Sequence, residues 1–422
     1  MNLNLKFASN APLPPTVKFF PHLDRVVTVE HCYYYLSFLE RFWTFMDTMT
    51  LYEQRHYLAR AEVRYEKWLH NFNEGIRVPP LDVAFLWHIH ALSPLRYYED
   101  LVLRLRCNAV FDEIFPLDNL HHTANDPHMN DLNIWNQVFG EDEPYFLSPE
   151  NMYDGTYSRP CYACQQEIVL PWSAYFEYRY GVNTTRFPHD GCGPAEGINF
   201  LDVARMKLES DLTNKCPGPI VAGTLLKPNG TIRKKPNKMV TKIKPLQIIL
   251  PQEEMDYAYE RQIQEQLKFF GKKYEYDANE LLYAIRTSYQ SNPTPFSIDL
   301  IHAVSRQRRF YDTIISMDWS SESDILIASI RHYHNFMATL KHQSNLHAVP
   351  TVEIDIAFHV HMLCGPQYRK FTLKHLHQVI NHDDNIPENY IKEYTARWKR
   401  GIVAPPYIYM VKETKKESRH VY

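Results

Sequence analysis

"VPPLDVAFLWHIHAL" runs from Val78 to Leu92, and "VPTVEIDIAFHVHML" runs from Val349 to Leu363. The two stretches align without a gap: Val-Pro lies over Val-Pro, Asp82 over Glu353, Trp87 over Phe358, and His88 and His90 over His359 and His361. Whether they are helices or strands decides both the fold and what the histidines can do. Proline holds φ near about −65° and is tolerated in a first helical turn, so Pro79 and Pro80 read as an opening. Leu81, Ala84, Phe85, His88 and Leu92 then fall on one stripe at three- and four-residue spacing, which predicts a helix. On a helix, residues i and i+2 point about 200° apart, so the two imidazoles of one segment cannot meet at one ion.

Working outward, each segment is preceded by two helical patterns and followed by one. "VEHCYYYLSFLERFWTFM" and "YLARAEVRYEKWLHNF" precede the first, and "SPLRYYEDLVLRL" follows it behind a cap-like Ser93 and Pro94. "FSIDLIHAVSRQRRFYDTII" and "ILIASIRHYHNFMATLKH" precede the second, and "PQYRKFTLKHLHQVI" follows it. Trp135 with Pro144-Tyr145 is echoed by Trp398 with Pro406-Tyr407. Residues 253–270 and 278–290 read as extra helices of the second half, and 111–149 as polar and loop-rich. The expected fold is mainly α: two duplicated helical bundles joined by a small zinc-binding module with short strands. The boundaries fall at 1–156 for the first bundle, 157–215 for the zinc module, 216–250 for a basic flexible linker, 251–411 for the second bundle and 412–422 for a charged tail.

Composition excludes several classes. Hydrophobic residues at 45% and charged residues at 23% are ordinary for a globular protein, and a net charge of −3 is no polycation seeking nucleic acid. No apolar run approaches the ~18 residues of a membrane helix, and "MNLNLKFASNAPLPP" lacks the apolar core of a secretion signal. Seven cysteines, an odd number, argue against a disulfide framework and for a reducing compartment: the cytoplasm, with the nucleus as alternative. Cys161 and Cys164 form a Cys-x-x-Cys knuckle, and His189 and Cys192 repeat the two-residue gap. Zinc favours four tetrahedral Cys or His ligands, and paired knuckles supply two each; with all four filled, the ion is structural. Gly191 and Gly193 flank the last ligand, and Asn199 with Asp202 reads as the cap of a following helix.

The chain shows no phosphate-binding glycine loop, nucleophile elbow or HExxH motif, so no catalytic residue is assigned and the reading leans away from an enzyme. The paired histidines read as packing groups hydrogen-bonded inside the bundles. The alternative is a second site drawn from His88, His90, Asp355, His359, His361, His382 and Asp383, serving a metal-dependent hydrolase or a small-molecule binder. Asp355 lies one helical turn before His359, whereas Ala84 holds that place in the first copy. Lys227 to Lys244 carries seven basic residues and no acid. It reads as a solvated linker, the alternative being RNA or phosphoinositide binding through Arg233, Lys234, Lys235, Lys238, Lys242 and Lys244. The favoured function is a non-enzymatic interaction or regulatory protein acting through a protein partner.

"VPPLDVAFLWHIHALSP", "DLIHAVSRQRRFY", "VPTVEIDIAFHVHML" and "INHDDNIPENYIKEYTARW" together resemble the glycine-rich domain-containing proteins of plants and their fungal relatives. The resemblance covers both copies. It implies no enzymatic activity, because the region shared by that family has none established. Plant members are linked to growth and stress responses, and RNA binding has been proposed for them through glycine-rich tails. This chain has 13 Gly and reads "KETKKESRHVY" at its end, so RNA binding is not carried over. Cys364-Gly365 stands where the family tends to show Ser-Pro, a departure at the second segment.

Overall fold

A computed structural model describes residues 20–23, 27–123, 127–140, 143–180, 186–193, 197–214, 218–244, 258–317, 319, 322–342, 347–382 and 409–411, and they are mainly helical. α1 (Val29–Met46) and α2 (Leu51–Asn71) start at threonine caps. Thr50 accepts from the Glu53 N–H while the Glu53 carboxylate accepts from the Thr50 N–H, a reciprocal capping box. α3 (Leu81–Ala91) begins directly after Pro80, as the proline reading requires. α4 (Pro94–Tyr98) runs on as a π-helical stretch, Glu99–Arg104; Ser93 makes no side-chain cap, so Pro94 sets the start. α5 (Asn108–Asp112), α6 (Leu117–His122) and α7 (Met129–Phe139) place about half of the stretch expected to be loop in helices.

β1 (Thr156–Pro160) and β2 (Glu167–Pro171) form an antiparallel hairpin, followed by α8 (Trp172–Tyr180). α9 (Phe200–Thr213) carries the expected Asn199–Asp202 capping box. After α10 (Ala258–Lys268) and α11 (Glu275–Ser288) come α12 (Leu300–Ile315), α13 (Glu322–His342), β3 (His347–Val349), α14 (Val352–Met362), α15 (Gly365–Leu376) and β4 (Tyr409–Val411), which pairs antiparallel with β3. Trp398, Pro406 and Tyr407 lie outside the described residues. No helix among the described residues is long and apolar enough to cross a membrane.

One hydrophobic cluster takes in residues of α1 to α4 and of α12 to α15. α1 packs on α14 as well as on α3, and α12 packs on α3, so helices of the two halves interleave. Gly365 permits one of these approaches, since a β-carbon there would lie 3.1 Å from the Phe111 ring. A smaller cluster gathers Leu208, Met239, Val240, Ile263, Leu281 and Ile285. Residues 218–244, read from composition as a flexible linker, are therefore packed: Met239 and Val240 are buried, Arg233 pairs with Glu280, and Asn237 donates to Glu280 and to the Asp277 carbonyl. A few well-placed apolar residues outweigh the surrounding charge.

α3 and α14 are buried almost all round, and their neighbours recur. The Tyr65 hydroxyl lies 3.1 Å from His90 Nδ1, and the Tyr333 hydroxyl 2.9 Å from His361 Nδ1. Arg64 meets Asp82 at 2.6 Å, and His332 meets Glu353 at 2.9 Å. Trp68 stands against Trp87 with ring centres 4.9 Å apart, and Phe336 against Phe358 at 5.9 Å. The two segments part at the other imidazole nitrogen. His90 Nε2 lies 3.2 Å from Asp100, whereas the aligned residue after His361 is Phe371, its ring centre 5.3 Å away. His361 Nε2 is buried without a hydrogen-bond partner among the described residues.

These differences set the electrostatics. Burial raises the Asp100 carboxyl, but Arg104 at 2.6 Å and then His90 and the Ser297 N–H outweigh it and hold it below the usual carboxylate range. Burial alone pushes His361 from 6.5 down to about 3. Its unfolded form takes up a proton below pH 6.5 that the folded form refuses until about pH 3, so stability is present above 6.5 and lost on acidification. This group contributes a slope of about 1.4 kcal/mol per pH unit. Urea denaturation of His361→Gln between pH 6.5 and 5 should show that slope removed relative to the parent; an unchanged slope would show His361 to be protonated when folded. Trp87→Ala and Phe358→Ala should each cost roughly 3–5 kcal/mol in the same assay, since both rings are fully enclosed.

Candidate functional site

The cysteine module is built on the β1–β2 hairpin. Cys161 directly follows β1, and the turn closes with the Cys161 N–H donating to the Gln166 carbonyl at 2.9 Å and the Gln165 N–H to the Cys161 carbonyl at 3.1 Å. Gln165 adopts a left-handed φ of 64° to make that turn. The Ala163 N–H points at Cys161 Sγ from 3.4 Å. His189 and Cys192 come from the loop before α9. One ligand atom of each of Cys161, Cys164, His189 and Cys192 lies within 4.8 Å of the others, an arrangement able to hold a metal ion.

The spacing is that of a shared ion and not of a disulfide. Cys161 Sγ and Cys192 Sγ stand 3.6 Å apart, and Cys164 Sγ lies 3.2 Å from His189 Nε2. A tetrahedral cation with metal–sulfur bonds of about 2.3 Å separates its sulfurs by roughly 3.8 Å. A disulfide would need about 2.05 Å. Gly191 makes room for the cluster, because a β-carbon there would fall 2.5 Å from Cys164 Sγ. Gly193 is needed for its φ of 100°, which side chains rarely adopt. The module is braced on the helices by the Arg159–Glu66 ion pair and by Tyr162, whose hydroxyl donates to the Pro293 carbonyl.

A second constellation joins the two His-x-His helices. The Tyr35 hydroxyl, from α1, lies 3.1 Å from His88 Nε2 on α3 and 2.8 Å from His359 Nδ1 on α14. His359 Nε2 in turn lies 3.1 Å from His382 Nε2, and His382 Nε2 lies 3.4 Å from Asp355 Oδ1. The result is a run of polar groups from α3 through α1 to α14 and the segment after α15. Of the residues proposed for a second site, His88, Asp355, His359 and His382 converge here. His90 and His361 project elsewhere, to Tyr65 with Asp100 and to Tyr333, as the helical 200° separation demands. Asp383 lies outside the described residues.

The basic residues are spread out. Arg233 is paired with Glu280, Lys242 sits over the rings of Phe270 and Tyr274, and Lys238 lies 3.9 Å from Asp277. Lys234, Lys235 and Lys244 are exposed. Sequence reasoning missed Tyr35, Tyr65, Tyr333 and Asp100. A signal for two of them was there: Tyr65 stands three residues before Trp68, and Tyr333 three residues before Phe336, each in the helix preceding a His-x-His segment.

A family profile described as glycine-rich domain-containing protein-like matches residues 33–100 and 233–370. These regions hold Tyr35, both His-x-His helices and the tyrosines that contact them. Glycine-rich domain-containing protein 1 of Arabidopsis thaliana is similar, at 32% identity over 83 residues, 19% of this chain. The match spans 9% of that protein's length. No solved structure matches. On the two matched regions, and on the paired segments inside them, the chain is similar to the glycine-rich domain-containing protein-like family.

Proposed function

We propose that this chain is a non-enzymatic interaction protein of the cytoplasm, built on a duplicated helical unit and stabilised by one structural zinc at Cys161, Cys164, His189 and Cys192. The observation that carries the reading is that four-donor cluster, with its shared-ion spacing and the space Gly191 leaves beside it. Three thiolates and an imidazole suit zinc, and four protein donors leave no position for a substrate. Binding there ties the hairpin to the loop before α9. α9 is anchored in turn through Lys207, whose ammonium donates to the carbonyls of Ser288, Asn292 and Phe296. The ion would therefore cross-link the two halves of a small module whose Tyr157, Ile168, Leu170 and Val203 already pack into the main hydrophobic cluster.

Duplication is supported by the contacts that recur around α3 and α14: tyrosine on the second histidine, cation or imidazole on the acid, aromatic on Trp87 or Phe358. The two copies are 1–156 and 251–411, with the zinc module at 157–215 between them. A role for the basic segment in binding RNA or phosphoinositide is less well supported, since Arg233 and Lys242 are already engaged within the chain.

Metal analysis of the purified, unchelated protein should find one tightly held zinc per chain at this site. Cys161→Ser should lower the metal content and the stability together. Metal-free protein that is nonetheless fully folded would overturn the zinc reading.

A further inference from the structure

We infer that Asp355, His359 and His382 form a second metal site, for a divalent first-row transition cation with open coordination positions. It goes beyond the zinc reading and rests on different residues. The three ligand atoms lie within 4.8 Å of one another. His359 Nε2 and His382 Nε2 stand 3.1 Å apart, and Asp355 Oδ1 is 3.4 Å from His382 Nε2. Around one cation with metal–nitrogen bonds of about 2.0–2.1 Å, neighbouring donors are separated by roughly 3.0–3.4 Å. The observed spacings fall in that range.

The surroundings set His359 up as a ligand. Its Nδ1 lies 2.8 Å from the Tyr35 hydroxyl, which lies 3.1 Å from His88 Nε2. If Nδ1–H donates to the phenol oxygen and the phenol donates to His88, the lone pair of His359 Nε2 faces His382. A ligating histidine typically donates its other ring N–H to an oxygen in this way. His359 is fully enclosed, while the side chains of Asp355 and His382 keep 15% and 6% exposure, so an ion has a side from which to enter. Two imidazoles and one carboxylate suit zinc, iron, cobalt or nickel better than calcium or magnesium. The first copy cannot build the same site, because Ala84 replaces Asp355.

The test is cobalt(II) loading of the full chain, followed by absorption and by metal counting. The expected result is two equivalents: one with intense thiolate-to-cobalt charge transfer, from the cysteine cluster, and one with weak ligand-field bands only. His382→Ala and Asp355→Asn should each weaken the second equivalent at least about tenfold and leave the thiolate band, and Tyr35→Phe should weaken it about 10–100-fold. Cys161→Ser should abolish the thiolate band and keep the second equivalent. Failure of the thiolate band in the parent protein would sink the zinc reading while leaving this one standing. A parent that takes up only the thiolate-bound equivalent, or a second equivalent that survives both His382→Ala and Asp355→Asn unchanged, would overturn the inference.

Discussion

The phenol of Tyr35 is the contact on which the centre of this fold turns. A buried imidazole is costly unless its nitrogens find partners, and His88 and His359 are both fully enclosed. A hydroxyl can donate to one ring while accepting from the other, which no apolar residue and no cation can do. Tyr35 therefore requires α1 to lie against α3 and α14 together, and the aromatic neighbours Phe38, Phe85 and Phe310 close round the same rings. That bridge fixes the register of the interleaved halves, which one shared hydrophobic cluster holds together.

Much of this was legible in the sequence because it was local. Pro80 before a three-and-four stripe forecast α3, and the helix it forecast is what sends His88 and His90 to different neighbours. The gaps between Cys161, Cys164, His189 and Cys192 forecast a cluster, and Asn199 with Asp202 forecast a cap. What stayed hidden depends on long-range pairing. Tyr35 meets residues far along the chain in both directions, and no periodicity records that. Asp355 pointed in sequence to His359 one turn away, yet its carboxylate also lies 3.4 Å from His382, brought in from beyond α15.

Two other misreadings have a common cause. The segment 218–244 looked like a linker because lysines dominate it, but burial of Met239 and Val240 against Leu281 and Ile285 fixes it. α5 and α6 escaped notice because helices of five and six residues carry little periodic signal and are held by tertiary contacts. The eleven residues of α7 were passed over for their polar flanks. Arg41 donates to the Leu120 carbonyl, Ser37 meets His121, and Tyr34 meets His122, so α1 organises a stretch whose own sequence does not declare it. Composition reports averages over a segment, whereas a few buried side chains decide its state.

The two aligned His-x-His segments have their carboxylates placed differently, and the difference separates structure from chemistry. Beside the first segment the acid is Asp100, and it is saturated: Arg104, His90, and the N–H and hydroxyl of Ser297 all meet it. Such a group holds helices together and has nothing left to offer a ligand. At the second segment Phe371 takes the aligned place, and the acid stands one turn before the first histidine instead of ten residues after the second. Asp355 thereby lies near the margin of the core, beside two imidazoles whose Nε2 atoms face each other. The first segment has thus closed its polar groups upon one another, while the second has two imidazoles and a carboxylate gathered at a partly open edge. Any ligand chemistry built on the paired histidines therefore belongs to the second segment, with the first acting through His88 and Tyr35 to fix the orientation of His359.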